Sequence, residues 1–484
     1  MKLANTLTST LEEFVPLKPG HVSVYLCGVT PYSASHIGHA MSAIVYDVLV
    51  RYLRWPGNRA GGLEVTYVSN YTDVDDKLID RGAELNMDPL ALANVNIEQW
   101  EREQAALGLL PPDVRPRVST EIPAIIALIE QIIANGHAYA TPLGNVYFRV
   151  TSKADYGKLS HRTIDQLRTG TRFEPGDDKE FALDFALWKT AKPGEPHWTS
   201  PWGEGRPGWH IECSAMSQRY LGDTFDIHGG GVDLVFPHHE NEVAQSEAAT
   251  GKPFARLWMH NGMVLRDGEK MSKSLGNTVT VEDALERWSP DAIRVFSLSS
   301  QYRTPNNLTD EALEAAGRAV DRLATALEAK NAAAPGAPAV DASDAREHFV
   351  AALEDDLNTA QALAALFELA RAINRGRDEG LDISAAQHAL YELAWVLGLR
   401  LERESAATAI DAGALAEVAA RFGVPVAVGA TAAPGKLVDA LLARRSEARA
   451  ARDFATGDAI RAALEAAGIE VKDTPAGATW SVRA

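Results

Sequence analysis

Residues 22–39 are VSVYLCGVTPYSASHIGH, a β-type run followed by a turn-rich loop and the start of a helix. A second β-type run covers residues 63–68. Between them, apolar residues recur at helical spacing up to Pro56: Met41, Ile44, Val45, Val48, Leu49 and Tyr52. A strand–helix–strand unit requires a parallel sheet, so the sequence predicts an α/β fold.

The loop after the first strand is the expected place for a ligand, because parallel sheets bind ligands at the carboxyl ends of their strands. Cys27 and the loop to His36 lie there. The segment His36-Ile37-Gly38-His39 opens the helix, where unpaired backbone N–H groups and the helix dipole attract phosphate. Taken alone, these four residues are equally well explained as two surface histidines beside a glycine.

A second candidate phosphate motif is KMSKSLGN at residues 270–277, which follows the turn residues Asp267-Gly268. Lys270 and Lys273 suit the stabilisation of charge on a reacting phosphate. A run of this kind is usually a solvated charged turn. Its occurrence after the first motif, in a chain with a strand–helix–strand unit, favours a nucleotide site.

Composition excludes several classes of protein. The chain has 484 residues, 47 Lys+Arg against 65 Asp+Glu, a net charge of −18, 46% hydrophobic residues and two cysteines. This length predicts two to four domains, and the scarcity of cysteine argues against a disulfide scaffold. We find no apolar leader and no apolar run of about 18 residues, so we expect a cytoplasmic protein with no membrane association. The acidic balance argues against non-specific coating of nucleic acid.

Four scattered residues form a candidate metal site. Cys27 and Cys213 are 186 positions apart, and His238 and Glu242 are four residues apart, on one face of a predicted helix. Two thiolates, an imidazole and a carboxylate make a plausible zinc set. We expect the strand ends that carry the two cysteines to meet. Each cysteine alone is more typical of a buried apolar side chain, and His239 is an alternative to His238.

Four segments together resemble the class I cysteinyl-tRNA synthetases. They are Cys27-Gly28 with HIGH, GWHIECSAM at 208–216, HGGGVDLVFPHHENE at 228–242 and KMSKSLGN at 270–277, and the likeness covers nearly the whole chain. The resemblance implies a zinc site at the four candidate ligands, with the metal holding the thiolate of the substrate cysteine. It also implies that one set of residues binds and activates ATP: His36, Gly38, His39, Lys270 and Lys273.

The implied reaction has two steps. Cysteine and ATP, with Mg²⁺, form cysteinyl-adenylate and pyrophosphate, and a ribose hydroxyl at the 3′ end of tRNA(Cys) then accepts the cysteinyl group. Zinc would distinguish cysteine from serine, which differ too little for a simple pocket. We expect Thr72, with Asp73, and His228 to contact the substrate, Trp209 to close over it, and Asp233 to line the ATP site. A packing role is the alternative for Trp209.

The predicted domains follow the chain. Residues 1–112 and 202–300 are the halves of a Rossmann-like catalytic domain, and residues 113–201 are a connective insertion between them. Residues 301–343 are stem helices and a linker, and residues 344–425 form a helical bundle. Residues 426–484 form a small anticodon-binding domain. No obligatory protein partner is predicted.

The C-terminal domain is the predicted contact to tRNA. Residues 441–484 carry seven basic and six acidic side chains, so their net charge is +1 in an otherwise acidic chain. Arg445, Arg449 and Arg452 have the spacing of one helical face, and Trp480 is a candidate for stacking on bases. A solvated face and a core tryptophan are the alternative.

Two other functions remain open. The forms CGVTPY at 27–32 and HIGH at 36–39 depart from the usual synthetase pattern and are similar to the mycothiol-pathway ligase, which couples activated cysteine to an amino sugar. The family-like C-terminal tail favours the synthetase. A non-catalytic tRNA-binding paralogue is the other alternative, and the intact second motif argues against it.

Overall fold

The computed structural model describes residues 1–168, 178–271, 276–401, 412–424, 434–474 and 477–482. These form two compact units, Met1–Leu401 and Glu402–Ala484. The strands are β1 Lys2–Asn5, β2 Thr10–Glu13, β3 His21–Leu26, β4 Glu64–Ser69, β5 Ala138–Ala140, β6 Val146–Phe148, β7 Phe185–Thr190, β8 Trp198–Ser200, β9 Gly203–Pro207, β10 Phe225–Gly231, β11 Ala255–Asn261, β12 Val264–Arg266, β13 Glu269–Lys270, β14 Asn306–Leu308, β15 Ile469–Thr474 and β16 Gly477–Val482.

The helices are α1 Ile37–Arg54, α2 Asp76–Leu85, α3 Pro89–Ala106, α4 Ile122–Ala134, α5 Ile164–Arg168, α6 Trp209–Leu221, α7 Glu240–Thr250, α8 Val281–Arg287, α9 Pro290–Leu298, α10 Asp310–Leu327, α11 Ser343–Glu354, α12 Thr359–Asp378, α13 Ser384–Val396, α14 Ala412–Arg421, α15 Pro434–Ala450 and α16 Phe454–Ala466. Among the described residues, no helix has the length and apolar character that crossing a bilayer requires.

A four-stranded parallel sheet is the centre of the first unit. Its order is β11-β10-β3-β4, and every neighbouring pair is parallel. The predicted α/β class is therefore confirmed. Five of the six residues of β3 are buried, as expected for a strand with structure on both faces. The sheet brings the carboxyl ends of β3, β4 and β10 to one edge.

Helix α1 begins and ends where its sequence signals predict. The His36 side chain accepts a hydrogen bond from the Gly38 backbone N–H, and His39 accepts one from the His36 N–H, which satisfies two unpaired donors at the start of the helix. Arg51 and Arg54 lie in the last turn, where the helix dipole favours cations. The helix ends at Arg54, because Pro56 could not continue it. The first motif therefore lies at the N-terminus of a helix whose two ends are both determined by the sequence.

The insertion between α3 and α6 contains a second sheet. It is antiparallel, with the order β5-β6-β7-β9-β8, and it ends at Pro207. The patterning of the sequence does not reveal these strands. They are only three to six residues long and lie in a polar segment rich in glycine, proline and tryptophan, so they carry little alternation of apolar residues.

The helices after the sheet share one hydrophobic core with α1, which includes residues from α9 through α13. A buried ion pair lies within this core. Arg294 of α9 is fully buried, its Nη2 lies 2.5 Å from Asp47 Oδ2, and it donates hydrogen bonds to the Leu397 and Leu107 carbonyls. These contacts tie α1 to the end of the helical region.

The second unit packs α14, α15 and α16 with the β15–β16 hairpin. The prediction of a shared basic face on α15 is wrong. Arg445 is only 1% exposed, and α15 ends at Ala450, before Arg452. Arg449 and Arg452 are exposed, and the Trp480 indole donates to Asp439 at 2.9 Å. The spacing suggested a continuous helix because no glycine or proline marks its end.

Candidate active site and metal centre

A cavity of about 360 Å³ lies at the carboxyl ends of β3, β4 and β10. Residues of both predicted phosphate motifs line this cavity. Residues from every predicted motif line it: Cys27, His36, His39, Trp209, Asp233 and Lys270. The position agrees with the expectation for a parallel sheet, because Cys27 follows β3 and Asp233 follows β10 at the carboxyl edge of the sheet.

The four predicted metal ligands come together on one wall of this cavity. The Sγ atom of Cys27 lies 3.4 Å from Cys213 Sγ, 3.3 Å from His238 Nε2 and 3.5 Å from Glu242 Oε1. His238 Nε2 lies 2.9 Å from Glu242 Oε1. One sulfur atom, one imidazole nitrogen and one carboxylate oxygen thus lie within 3.5 Å of the Cys27 sulfur. This set of donors fits zinc, although Cys213 is outside the group of four whose ligand atoms are all mutually close, Cys27, His238, His239 and Glu242.

His239 is a fifth candidate donor, because it joins Cys27, His238 and Glu242 in a group whose ligand atoms lie within 4.8 Å of one another. Among the described residues, its buried Nε2 has no hydrogen-bond partner, but it lies 3.9 Å from Glu242 Oε1. His238 Nε2 is in contact with both the Cys27 sulfur and the Glu242 carboxylate. The closer contacts favour His238 as the ligand.

Neighbouring imidazoles hold two members of the cluster in place. His210 Nδ1 lies 3.0 Å from His238 Nδ1, and His228 Nε2 lies 2.8 Å from Glu242 Oε2. Such outer partners orient metal ligands. His228 is fully buried against Trp258, with ring centroids 4.4 Å apart, and it does not line the cavity. The prediction that His228 contacts the substrate is therefore corrected to a positioning role behind Glu242.

The charges of the cluster depend on one another. Burial raises the pKa of the Cys27 thiol well above its usual value. Burial also opposes ionisation of Cys213, but hydrogen bonds with Cys27 and His238 outweigh it and lower the pKa of Cys213 to about 6. For Glu242, the nearby His228 and His238 outweigh burial and hold the pKa well below its usual range. A thiolate and a carboxylate therefore face the same imidazole.

Cys213 reaches the cluster from a helix and not from a strand end. It lies in the second turn of α6, which begins at Trp209 after Gly208. The expectation that two strand ends carry the cysteines is wrong for Cys213. The segment before it is rich in glycine and proline, and the helix has no strong apolar stripe because both of its faces are covered.

The first motif lies directly beside the second. The rings of His36 and His39 stack with centroids 3.8 Å apart at the start of α1. A Cβ at Gly38 would come within 2.9 Å of the His36 ring and 3.8 Å of Met271 Cε, so glycine permits the close approach of both segments. The Ile37 N–H donates to the Val279 carbonyl. The start of α1 and the chain after the second motif are thus linked.

The second motif is described only in part. Lys270 is exposed at the end of β13 and lines the cavity together with Met271. Lys273 lies outside the described residues, which resume at residue 276. The Asn277 amide donates to the Lys270 carbonyl at 3.3 Å and brings the two ends of the motif together.

The other predicted substrate residues lie on different walls. Thr72 is buried and lines the cavity next to Cys27, and its N–H donates to the Val29 carbonyl. Trp209 stacks on His238, with centroids 4.5 Å apart. Asp233 follows β10 on the opposite wall. Asp73 is directed away, because both of its oxygens accept hydrogen bonds from Ser119.

Sequence reasoning missed Asn70 and His210. The Asn70 Oδ1 accepts from the Gly28 N–H at 2.9 Å and from the Tyr25 hydroxyl at 3.1 Å, and it lies 3.7 Å from Cys213 Sγ. It therefore fixes the backbone beside Cys27. Its position directly after a strand, beside Thr72, was an available signal. His210 adjoins Trp209 and was visible only as part of the segment 208–216.

Comparison with known proteins assigns the family. A model of the "tRNA synthetases class I (C) catalytic domain" matches residues 13–318. A "Cysteine--tRNA ligase" of Halorhodospira halophila is 49% identical over 482 residues, which are 99% of this chain and 99% of that protein. The chain belongs to the cysteinyl-tRNA synthetase family. The resemblance found in the motifs is thereby confirmed.

Further matches extend the family assignment over the rest of the chain. A "DALR domain" model matches residues 348–402, and a "Cysteinyl-tRNA ligase anticodon binding domain" model matches residues 435–480. A "Cysteine--tRNA ligase" of Dehalococcoides mccartyi is 46% identical over 100% of both chains. The Mycobacterium tuberculosis methionyl-tRNA synthetase in complex with methionyl-adenylate superposes with a TM-score of 0.57 at 19% identity, covering 78% of this chain and 89% of that one. This cysteinyl-tRNA synthetase family member therefore shares the class I fold.

Proposed function

We propose that the protein activates L-cysteine with ATP, releases pyrophosphate, and transfers the cysteinyl group to the 3′ end of tRNA(Cys). The observation that carries this proposal is the convergence of Cys27, Cys213, His238 and Glu242 beside the start of α1 in one cavity. A thiol-binding wall and a phosphate-binding helix terminus are then within reach of one small substrate. Full-length relatives named for the same reaction support it.

The chain's own residues bind the two reacting groups. The carboxylate of cysteine attacks the α-phosphorus of ATP, and the bond to pyrophosphate breaks. His36 and His39, with the first N–H groups of α1, bind the phosphates, and Lys270 and Lys273 stabilise the charge that moves to pyrophosphate. Mg²⁺ accompanies the nucleotide. No side chain forms a covalent intermediate, so catalysis is positioning and charge stabilisation.

The metal wall selects the substrate. Cys27, Cys213, His238 and Glu242 would hold a zinc ion, which when bound would favour the substrate's sulfur as a thiolate. Trp209 packs on His238 and covers this wall, and Thr72 presents a hydroxyl to the substrate's amino group. Serine offers only a hydroxyl, which ionises far less readily. Selection then needs no separate hydrolytic site.

The acceptor is proposed to be tRNA and not an amino sugar. The match of residues 435–480 to an anticodon-binding domain supports this choice. Arg449 and Arg452 are exposed cations in that unit, whereas Arg445 is buried and contributes to its core. Trp480 is half-buried, with its indole N–H paired to Asp439, and it remains a candidate for stacking on a base. A cytoplasmic location follows from this role.

Two assays on the purified protein separate the candidate functions. Cysteine-dependent exchange of pyrophosphate into ATP is measured first, and charging of total tRNA is measured second, with an amino-sugar acceptor in parallel. We expect exchange and tRNA charging. Exchange with transfer to the amino sugar alone would identify the related ligase, and tRNA binding with neither activity would identify a non-catalytic paralogue.

A further inference from the structure

A buried carboxyl group adjoins the metal wall and has no role in the proposed function. Glu212 lies in the first turn of α6, one residue before Cys213, and it is fully buried. Among the described residues, neither of its carboxyl oxygens has a hydrogen-bond partner of ordinary geometry. Burying a carboxyl group in this way is costly, so its presence calls for an explanation.

The surroundings of Glu212 favour a positively charged ligand. Burial raises the pKa of its carboxyl group well above the usual value, and Cys213, Asp75 and Asp73 raise it further. Both oxygens of Asp73 accept from a single serine, and Asp75 caps the start of α2, so other contacts hold these two acids. The dipole of α6 also favours negative charge in its first turn. A cation that approached this region would therefore be stabilised by it.

Thr72 connects Glu212 to the cavity. It is only 2% exposed but lines the cavity, and a hydrogen-bonding contact from its side chain acts against burial to lower the pKa of Glu212. The Asn70 amide donates to Thr72 Oγ1 at 3.3 Å. A hydroxyl group has one proton and two lone pairs. With one lone pair on Asn70 and the proton directed to Glu212, the other lone pair is available to a donor in the cavity.

The α-ammonium group of cysteine is the donor that fits this arrangement. In the proposed function it is the one cationic group of the amino acid, and Thr72 is assigned to it. An ammonium group has three N–H donors and no acceptor. It therefore satisfies the Thr72 oxygen and also brings positive charge toward the buried carboxyl group. The thiol and the carboxylate of the same substrate bring no positive charge.

We propose that Glu212 is a positioning residue for the ammonium group of the substrate and acts through the Thr72 hydroxyl. This inference rests on the proposed function and adds a residue to it. Glu212 accepts the hydroxyl proton, so that Thr72 presents a lone pair to the ammonium group. The carboxyl group behind the hydroxyl strengthens this bond, because hydrogen bonds in a chain polarise one another. Glu212 then contributes to the affinity for cysteine and not to the binding of ATP.

Three ligands separate this role from a purely structural one. Cysteamine keeps the thiol and the ammonium group, 3-mercaptopropionate keeps the thiol and the carboxylate, and cysteine has all three. In Glu212→Gln, we expect the KM for cysteine in pyrophosphate exchange and the inhibition constant of cysteamine to rise about tenfold. The inhibition constant of 3-mercaptopropionate and the KM for ATP are expected to stay within about twofold of the wild type. Zinc content, measured in parallel, is expected to be unchanged.

Glu121→Gln is the matched control. Glu121 is also a buried carboxyl group in contact with α6, but it binds the other end of that helix, through Arg219 at 2.6 Å and Tyr220 at 2.8 Å. This variant is expected to leave all of these constants near the wild-type values. Glu212→Met, which is apolar and of similar length, takes the place of Glu212→Gln if the latter does not fold.

A double-mutant cycle tests whether Glu212 acts through Thr72. Thr72→Val removes the hydroxyl, and the double variant Thr72→Val/Glu212→Gln is expected to bind cysteine no more weakly than Thr72→Val alone. Losses that multiply in the double variant would overturn the inference, as would an unchanged KM for cysteine in Glu212→Gln. An equal rise for cysteamine and 3-mercaptopropionate, or a loss of zinc, would also overturn it by showing a general distortion of the cavity. Absence of cysteine-dependent exchange in the wild type would instead reject the proposed function.

Discussion

The Sγ atoms of Cys27 and Cys213 lie 3.4 Å apart, although 186 residues separate them in the chain. One follows β3, and the other lies in the second turn of α6, so the insertion between the two halves of the sheet must fold back to bring them together. His238, in the turn just before α7, and Glu242, in the first turn of α7, complete the cluster. The two cysteines of the chain are therefore both part of one site.

Replacing Cys213 tests the metal wall. Cys213→Ala removes one sulfur donor, and we expect loss of stoichiometric zinc from the purified protein together with a fall of at least 100-fold in cysteine-dependent exchange. Metal content is measured by mass spectrometry. Met216→Leu, a conservative change on the same helix, is the control and is expected to retain zinc. Full zinc content in Cys213→Ala would contradict the assigned ligand set.

Arg449 and Arg452, the exposed cations of the second unit, are expected to contribute to tRNA binding and not to the activation of cysteine. In Arg449→Ala/Arg452→Ala, the KM for tRNA is expected to rise about three- to tenfold, because each lost phosphate contact weakens binding, while exchange stays at the wild-type rate. The measurement is charging as a function of tRNA concentration at two salt concentrations. A smaller salt dependence in the double variant supports direct contact, and an equal loss of exchange would argue against it.

Because Arg294 is held in a buried ion pair with Asp47, we expect a substitution of the neighbouring Gly398 to cause a large loss of stability. Gly398 has φ of +70°, and a Cβ there would come within 1.9 Å of Arg294 Nη2. Arg294 cannot withdraw cheaply, because it is fully buried and bonded to Asp47. Gly398→Ala is expected to destabilise the first unit by about 3 kcal/mol or more.

Gly380 provides the matched control for this prediction. It also has a positive φ, +75°, but a Cβ there would meet no atom of the described residues within 4 Å. Gly380→Ala is expected to cost only about 1 kcal/mol, the strain of the backbone alone. Thermal unfolding of both variants gives the comparison. Equal losses of stability would show that Arg294 adapts without cost.

Glu103 predicts a pH dependence of stability. One oxygen accepts from Gln99 at 2.9 Å, and the other is buried with no partner in the part of the chain that the structure describes. Burial raises the pKa of Glu103 to about 7. Because the folded state holds the proton more tightly than the unfolded state, stability is greatest below about pH 4.5 and is lost as the pH rises toward 7.

Substitution of Glu103 by a neutral isostere is expected to remove this loss of stability at higher pH. Glu103→Gln is expected to stabilise the protein relative to the wild type by about 1–2 kcal/mol at pH 8 and by less at pH 5. Unfolding midpoints at both pH values provide the measurement. Gln99→Ala serves as the control, since it removes the amide that lowers this pKa and is expected to steepen the dependence. A stability difference independent of pH would exclude a titrating Glu103.

Local sequence determined much of the fold and of the site. The parallel sheet and α1 followed from the periodicity of apolar residues, which acts over a few positions. The meeting of Cys27 with His238 was a hypothesis from the chemistry of the four residue types and was then implied by the motif resemblance, because no local rule relates residues 211 positions apart. The family assignment confirmed that resemblance.

Other features depended on tertiary contacts that the sequence does not display. The role of His228 behind Glu242 reflects which face of β10 is covered. Three glycines follow His228 in this strand, so no alternation of side chains reveals it. The burial of Arg445 is similar, since a charged residue is normally expected at the surface. In both cases the packing of neighbouring elements decides the role of the residue.

The most direct measurement is the ratio of kcat/KM for cysteine to that for serine in pyrophosphate exchange, determined with zinc-loaded protein and with protein stripped by a chelator. The account predicts a ratio above about 10⁴ with zinc and a collapse of cysteine activation without it, restored when zinc is added back, because a pocket without metal discriminates such similar side chains by only about 10–200-fold. A high ratio that persists in stripped protein would contradict selection by the cluster of Cys27, Cys213, His238 and Glu242.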